Sequence, residues 1–361
     1  MGPELSPTEL LTVADHERAA EARLDPGAWA YFAGGAGAEH TLRRNLSAWA
    51  DHSLRPRVLR PLGELSLSTE LLGRTWPSPL LAAPMAQLRL AHPDGEAALA
   101  LAASALGAGL VLSQQTNTAL ETIAPVMLAS ADRGPLWFQL YHQGDRHATL
   151  ALAQQAASAG YEALVLTVDA PIQGVRDRER QHPVPSNALP RPHWRALPTG
   201  VPPAAWLQAA PTWDDVQWLH AHSPLPLLIK GITHPDDALQ AAELGLAGVI
   251  VSNHGGRVLD GMPATAEVLP SIRDAVQARC AVLVDGGLRR GTDIAKALAL
   301  GADAVLIGRP LVWGLANGGA AGIAHVLRLL LDELWAAMAL CGATRTRDIS
   351  ALCTKNFPFT S

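Results

Sequence analysis

Gly245-Leu-Ala-Gly248-Val-Ile-Val251-Ser252-Asn-His254-Gly-Gly-Arg257-Val-Leu-Asp-Gly261 is the stretch from which the fold can be read. A glycine closes what comes before, Gly248 to Val251 is a short β-branched run of the kind buried on both faces in a parallel sheet, and polar residues leave its C-terminal end. Gly255 and Gly256 let the chain turn tightly or lie against a flat ligand, so a base, His254, and a cation, Arg257, stand beside freely bending backbone. The same punctuation recurs elsewhere. Gly107 leads to Leu110–Ser113, Gly160 to Ala163–Thr167 and on to Asp169, and Gly301 to Ala304–Gly308. Further apolar runs at Leu80–Ala83, Leu136–Leu140, Leu227–Ile229 and Ala281–Val284 bring the total to eight. Eight strand–helix units predict an α/β fold, the (β/α)8 TIM barrel. An open doubly wound sheet competes with it but ordinarily carries fewer strands, and no Gly-x-Gly-x-x-Gly opens a helix after the first strand.

Helix starts support the barrel, because His92-Pro-Asp-Gly-Glu96 and Thr233-His-Pro-Asp-Asp237 put proline and acids where free N–H groups and the helix dipole favour them. Ahead of it, Pro7 to about Arg23 reads as an amphipathic helix, and Gly27 to Ala50 as two helices around a Gly-rich bend at Gly34–Gly37. The expected organisation is one domain over 1–361, with an N-terminal helical segment at 1–60 and the barrel at 61–361. One connection breaks the rhythm. The residues after the fourth strand, about 172–224, hold eight prolines from Pro183 to Pro211 together with Trp194, Trp206, Trp213 and Trp218, and are expected to form a long packed lid loop.

Composition narrows the function classes. At 48% hydrophobic and 17% charged residues the chain can bury a large core and is neither disordered nor fibrous. A net charge of −5 without any Lys/Arg stripe argues against a nucleic-acid partner. Cys280, Cys341 and Cys353 are too few and too widely spaced for a disulfide framework or a zinc site, and no metal is expected. No basic segment followed by an apolar one stands at the N-terminus, and Ala97–Leu112 is interrupted by Gly107 and Gly109, so it reads as a buried helix followed by a strand rather than a membrane span. A cytoplasmic protein without a membrane partner is the expectation.

In a barrel of this type all strand C-terminal ends face one mouth, so the residues delivered there can be read off in strand order. They are Pro84-Met85-Ala86, Ser113-Gln114, Gln139 with Tyr141, Thr167 with Asp169, Lys230, Ser252 with His254, Asp285-Gly286-Gly287, and Gly308-Arg309. Serine, glutamine, threonine and lysine suit the polar edge of a flavin ring, with Lys230 as the cation where negative charge develops on reduction. Asp285-Gly286-Gly287-Leu-Arg289-Arg-Gly and Gly308-Arg309 add glycine N–H groups and arginines after the last two strands, a common phosphate location in barrels. One such site and no adenine-binding module point to FMN rather than FAD.

These residues resemble the FMN-dependent α-hydroxy-acid oxidase and dehydrogenase family, the group of glycolate oxidase, lactate oxidase and mandelate dehydrogenase. The likeness runs through Tyr31-Phe-Ala-Gly-Gly-Ala36, Leu54-Arg-Pro-Arg57, Ala91-His-Pro-Asp-Gly-Glu96, Phe138-Gln-Leu-Tyr141, Leu166-Thr-Val-Asp169, Ile229-Lys-Gly231, Ser252-Asn-His-Gly-Gly-Arg257 and Asp285-Gly-Gly-Leu-Arg-Arg-Gly-Thr292. It implies oxidation of an L-2-hydroxy acid to the 2-keto acid, with O2 as acceptor giving H2O2, or alternatively a quinone or another carrier. It implies His254 as the base that takes a proton from the substrate and Asp169 as the carboxylate that orients it. Arg176, Arg257 and Tyr31 would hold the substrate carboxylate, and Tyr141 its hydroxyl or keto oxygen. Ser113, Gln139, Thr167 and Lys230 fall on flavin-ring positions, with Pro84, Met85, Ala86 and Ser252 beside them. Asp285, Gly286, Gly287, Arg289, Gly308 and Arg309 fall on the ribityl-phosphate side. The resemblance also implies a homotetramer. Which proton His254 takes is left open. Phe32 stands where some members carry a second tyrosine and Gln115 where glycolate oxidases carry a tryptophan, so a pocket lined by Met85, Leu88, Gln115 and Val175 is expected to prefer a medium or aryl side chain over glycolate. Other FMN barrels, and a non-catalytic flavin-binding protein, are the competing readings.

Overall fold

Eight parallel strands close into a barrel: β1 (Leu80–Ala82), β2 (Gly109–Ser113), β3 (Leu136–Leu140), β4 (Ala163–Thr167), β5 (Leu227–Ile232), β6 (Gly248–Val251), β7 (Ala281–Val284) and β8 (Ala304–Ile307). Neighbours in sequence are neighbours in the sheet, and Val305 of β8 lies opposite Leu80 of β1 to complete the circuit. The structure is a computed structural model and describes residues 10–184, 189–194, 207 and 210–354. The glycines that announce β2, β4, β6 and β8 share one device. Gly107, Gly160, Gly245 and Gly301 have φ of 67°, 95°, 77° and 109°, a left-handed conformation that ends the preceding helix and that side-chain-bearing residues adopt at a cost.

The strands are buried on both faces, and their alternate residues part into two sets. Leu81, Val111, Trp137, Val165, Leu228, Ile250, Leu283 and Leu306 cluster with Leu71 and Trp76 of the two-stranded ribbon Thr69–Leu71 and Arg74–Trp76, so this set fills the lumen above that ribbon. The other set, among them Leu110, Phe138, Leu166, Ile229, Val251, Val284 and Ile307, packs against the surrounding helices. The apolar stretch before β2 is the buried helix Gly95–Ala105, and no helix among the described residues is long and apolar enough to cross a membrane.

The N-terminal segment forms helices Val13–Arg23, Pro26–Ala33 and His40–Ser47, continued by a 3-10 turn at Ala48–Asp51. Thr12 caps the first, exchanging hydrogen bonds with Asp15; Pro7 to Glu9, also expected in this helix, lie outside the described residues. The connection after β4 departs from a loop running to residue 224. Its start includes a short helix, Asp177–Gln181, and its end is the helix Trp213–His222, which completes the fourth strand–helix unit and is capped by Thr212 and Asp215. Of its tryptophans, Trp206 lies outside the described residues.

Helix Val13–Arg23 seats on the long C-terminal helix Arg309–Cys341, which breaks direction at Gly318 and Gly319. At that contact His16 is 1% exposed, its Nε2 is 3.0 Å from His325 Nδ1 and its Nδ1 is 3.3 Å from Asn317 Nδ2. Burial, and then the neighbouring His325, push its pKa from 6.5 down to about 4. The fold favours the neutral ring. The stability this contact contributes is therefore intact above the unfolded value of 6.5 and is lost as pH falls from there towards 4. Thermal midpoints should drop on acidification through that window, and His16→Gln should flatten the drop; an unchanged pH slope in the variant would remove His16 as its source.

Candidate active site

One more step of two residues along the lumen-facing set replaces its apolar side chains by polar ones. Val111 gives way to Ser113, Trp137 to Gln139, Val165 to Thr167, Leu228 to Lys230, Ile250 to Ser252 and Leu283 to Asp285, all 7% exposed or less. The C-terminal mouth of the barrel is thus floored by a buried polar ring. Ser113 Oγ donates to Gln139 Oε1 at 3.0 Å, and Lys230 Nζ reaches Ser252 Oγ at 2.7 Å and Asp285 Oδ2 at 3.1 Å. Burial alone would push Lys230 down, but the Asp285 and Asp169 carboxylates outweigh it and hold the ammonium above its ordinary value. Gln139 Nε2, Thr167 Oγ1 and Asp285 Oδ1 are buried with no partner among the described residues. Such atoms are costly unless something meets them.

Beyond β6 the chain turns over this ring. His254 has φ 57°, left-handed for a residue with a Cβ, and Gly255 and Gly256 continue at 61° and 75°. The turn is held by His254 N–H donating to Ser252 Oγ at 3.1 Å and by Asn253, whose amide exchanges hydrogen bonds with that of Asn45 at 2.8 and 2.9 Å and donates to Pro263 O. Fixed this way, His254 Nδ1 is 2.9 Å from Asp169 Oδ1. The Asp169 side chain is 7% exposed, and although burial raises its pKa, the His254 charge and hydrogen bond and then Lys230 hold it below the usual range. A carboxylate only accepts, so Nδ1 carries the proton and Nε2 is left as the acceptor.

Two arginines share this mouth, since the charges of Asp169, Arg176 and Arg257 all bear on Tyr141. Arg257 donates to Tyr31 O and to Gly34 O, lies 5.1 Å from the centre of the Tyr31 ring and reaches Glu179 Oε1 at 2.9 Å. Arg176 donates from Nε to Arg257 O at 3.1 Å and from Nη1 to both Glu179 oxygens at 3.2 and 3.3 Å. Burial, and then the Arg176 charge, push Arg257 down. Tyr141 is pushed well up by burial and by Asp169, so its hydroxyl stays a donor.

On the β7–β8 side Arg289 Nε is buried without a hydrogen-bond partner among the described residues, with Glu17 4.0 Å away. Arg309 donates to Phe32 O, Gly255 O and Gly34 O, and burial with the Arg257 and Arg289 charges pushes it well down. Mutually repelling buried guanidiniums suit an anionic phosphate. A Cβ on Gly308 would meet only Ala83 and the Met85 sulfur, at 3.8 and 4.0 Å, which leaves room beside the Pro84–Ala86 turn. Gly287 is required for another reason, since its Cβ would strike Asn45 O at 1.9 Å. Leu88, expected to line a pocket, is 1% exposed within the outer core, whereas Val175 is 51% exposed at the rim. The partnerless ring atoms, Lys230 and the arginines together fit the polar edge and phosphate of FMN.

Sequence reasoning missed Glu179, whose alternating-charge surroundings look like any solvated helix, and the Asn45–Asn253 pair. It also missed how residues 189–194 dock. Asn117 donates to Pro190 O, Gln114 to His193 O, and Leu120 N–H to His193 Nε2, placing the Trp194 ring edge-on to Tyr141 with centres 6.4 Å apart.

A sequence model of the FMN-dependent dehydrogenase family matches residues 20–356. The chain is 46% identical to an L-lactate oxidase of Nostoc sp. over 94% of its own length and 96% of that protein's. It is 39% identical to an L-lactate dehydrogenase of Stenotrophomonas maltophilia, covering 95% and 98%. A crystal structure of mandelate oxidase with (S)-2-phenylpropionate superposes with a TM-score of 0.85 at 39% identity, covering 95% of this chain and 98% of that one.

Proposed function

Because this chain belongs to the FMN-dependent dehydrogenase family, whose members here oxidise 2-hydroxy acids, we propose roles for the residues at the barrel mouth. The enzyme uses FMN to oxidise a 2-hydroxy acid to the 2-keto acid. The observation that carries the assignment of roles is the His254–Asp169 pair beside Lys230, with Tyr141 within reach of both Asp169 and the two arginines. Arg176 and Arg257, with Tyr31, hold the substrate carboxylate, a target that guanidinium donors match in shape and charge. Tyr141 donates to the hydroxyl that becomes the keto oxygen. His254 takes the proton at Nε2, and Asp169 stabilises the imidazolium that results. When bound, FMN would supply the two-electron acceptor, taking up the substrate's two electrons together with its second proton. Ser113, Gln139, Thr167, Lys230 and Ser252 bind its ring beside Pro84, Met85 and Ala86, Lys230 supplying the positive charge. Asp285, Gly286, Gly287, Arg289, Gly308 and Arg309 border its ribityl chain and phosphate.

For the acceptor the proposal is O2 with release of H2O2, supported by higher identity to a lactate oxidase than to a lactate dehydrogenase. The proposed substrates carry an apolar side chain, from the methyl of L-lactate to the ring of mandelate, which would lie near Met85, Gln115 and Trp194. A cytoplasmic location, from the few scattered cysteines and the N-terminal sequence, and a homotetramer, from the family resemblance, complete the proposal. A panel of 2-hydroxy acids assayed in parallel for H2O2 and for dye reduction tests it. H2O2 should form from lactate or mandelate faster than from glycolate. Dye reduction with background H2O2 would overturn O2 as acceptor, and glycolate as best substrate would overturn the apolar pocket.

A further inference from the structure

We propose that Glu179 is a positioning residue for substrate binding: its carboxylate holds Arg176 and Arg257 converged and cancels one of their two charges, tuning the site to a single carboxylate. The proposal rests on the role given above to the two arginines. Their side chains are both 15% exposed, and Glu179 between them is 16% exposed. Like charges this close and this poorly solvated repel. One atom settles their spacing, because Glu179 Oε1 is 3.2 Å from Arg176 Nη1 and 2.9 Å from Arg257 Nη2.

The remaining donors are set by the backbone. Arg257 Nη1 is given to Tyr31 O and Gly34 O, and Arg176 Nε to Arg257 O. Arg176 Nη2 and Arg257 Nε then make no hydrogen bond among the described residues, and Glu179 fixes the plane of each guanidinium from which they project. Two arginines and one glutamate leave a net single positive charge, which matches a monocarboxylate and gives no such match to a dicarboxylate. Glu179 sits on the short helix Asp177–Gln181, so the connection after β4 supplies both an arginine and its counter-charge.

The test uses the FMN-loaded enzyme and binding of pyruvate and oxalate followed by the flavin absorbance change, together with flavin reduction by a 2-hydroxy acid. Glu179→Ala should raise KM and the pyruvate Kd about tenfold, the worth of a hydrogen bond to a charged group, while the reduction rate at saturation changes less than about threefold. Glu179→Gln, which keeps an acceptor but loses the charge, should weaken pyruvate less than the alanine variant and raise oxalate affinity relative to pyruvate about fivefold or more. Unchanged KM, pyruvate Kd and oxalate preference in the glutamine variant would overturn the proposal even if the alanine variant fails to fold. If the wild-type enzyme itself binds neither pyruvate nor any 2-hydroxy acid, the arginine roles fail and this inference falls with them.

Discussion

His254→Gln should keep its FMN and lose flavin reduction by roughly 100- to 10,000-fold, the range an oriented general base contributes. The glutamine occupies similar volume and cannot take a proton, so binding and chemistry separate. Retained FMN follows from where His254 sits, on the turn above the polar ring rather than in it, with its backbone fixed by Ser252 and its neighbour Asn253 by Asn45. The turn also demands a left-handed residue at 254, which glutamine, unbranched at Cβ like histidine, takes at a modest backbone cost that lowers stability somewhat and leaves the FMN ring site in place. Asp169→Asn should lose less, because it removes the orienting charge and leaves the base. Stopped-flow reduction of the histidine variant at near wild-type rate would exclude His254 as the base.

Lys230→Met should be the most damaging single change to the holoprotein. The ammonium is 3.1 Å from Asp285, itself 7% exposed, with one of its oxygens already lacking a partner. Removing one member of a buried ion pair leaves an uncompensated charge, worth about 3–5 kcal/mol. The expected result is a lower melting temperature and loss of FMN on gel filtration. Lys230→Met combined with Asp285→Asn should recover much of the stability and none of the FMN affinity, since the cation is still missing. A single variant that melts within about 1 °C of wild type, a shift worth under roughly 1 kcal/mol in a chain this long, would show that the pair contributes little.

The barrel was legible because its signals are local. A left-handed glycine, a few residues and a short apolar run form a unit that repeats within one stretch of chain, and the four glycines read this way do take positive φ. The polar ring was legible for the same reason, since a period of two carries Val111 to Ser113 and Leu228 to Lys230 without any long-range knowledge. The helix Trp213–His222 was overlooked although Thr212-Trp-Asp-Asp215 carries a capping signature, because the density of prolines and tryptophans around it resembled loop. Glu179 and the docking of Pro190–Trp194 were out of reach for a different reason. Their partners, Arg257, Asn117 and Gln114 in other loops of the mouth and Leu120 at the start of helix Leu120–Leu128, lie far off in sequence, and such contacts leave no periodicity in either segment.

Arg309 ties the two ends of the chain's history together. Its guanidinium holds the carbonyls of Phe32 and Gly34, which precede the whole barrel in the chain, and that of Gly255, made much later. Until the residues just after β8, the last barrel strand, have emerged, the N-terminal helices and the His254 turn lack the group that joins them. A nascent chain stopped after β7 can pair seven strands in order, yet it has neither the β8 edge that closes the circuit onto β1 nor this tie. A chain ended before β8 should therefore carry His254, Lys230 and the glutamate-bridged arginines without the frame that holds FMN, and should not bind it.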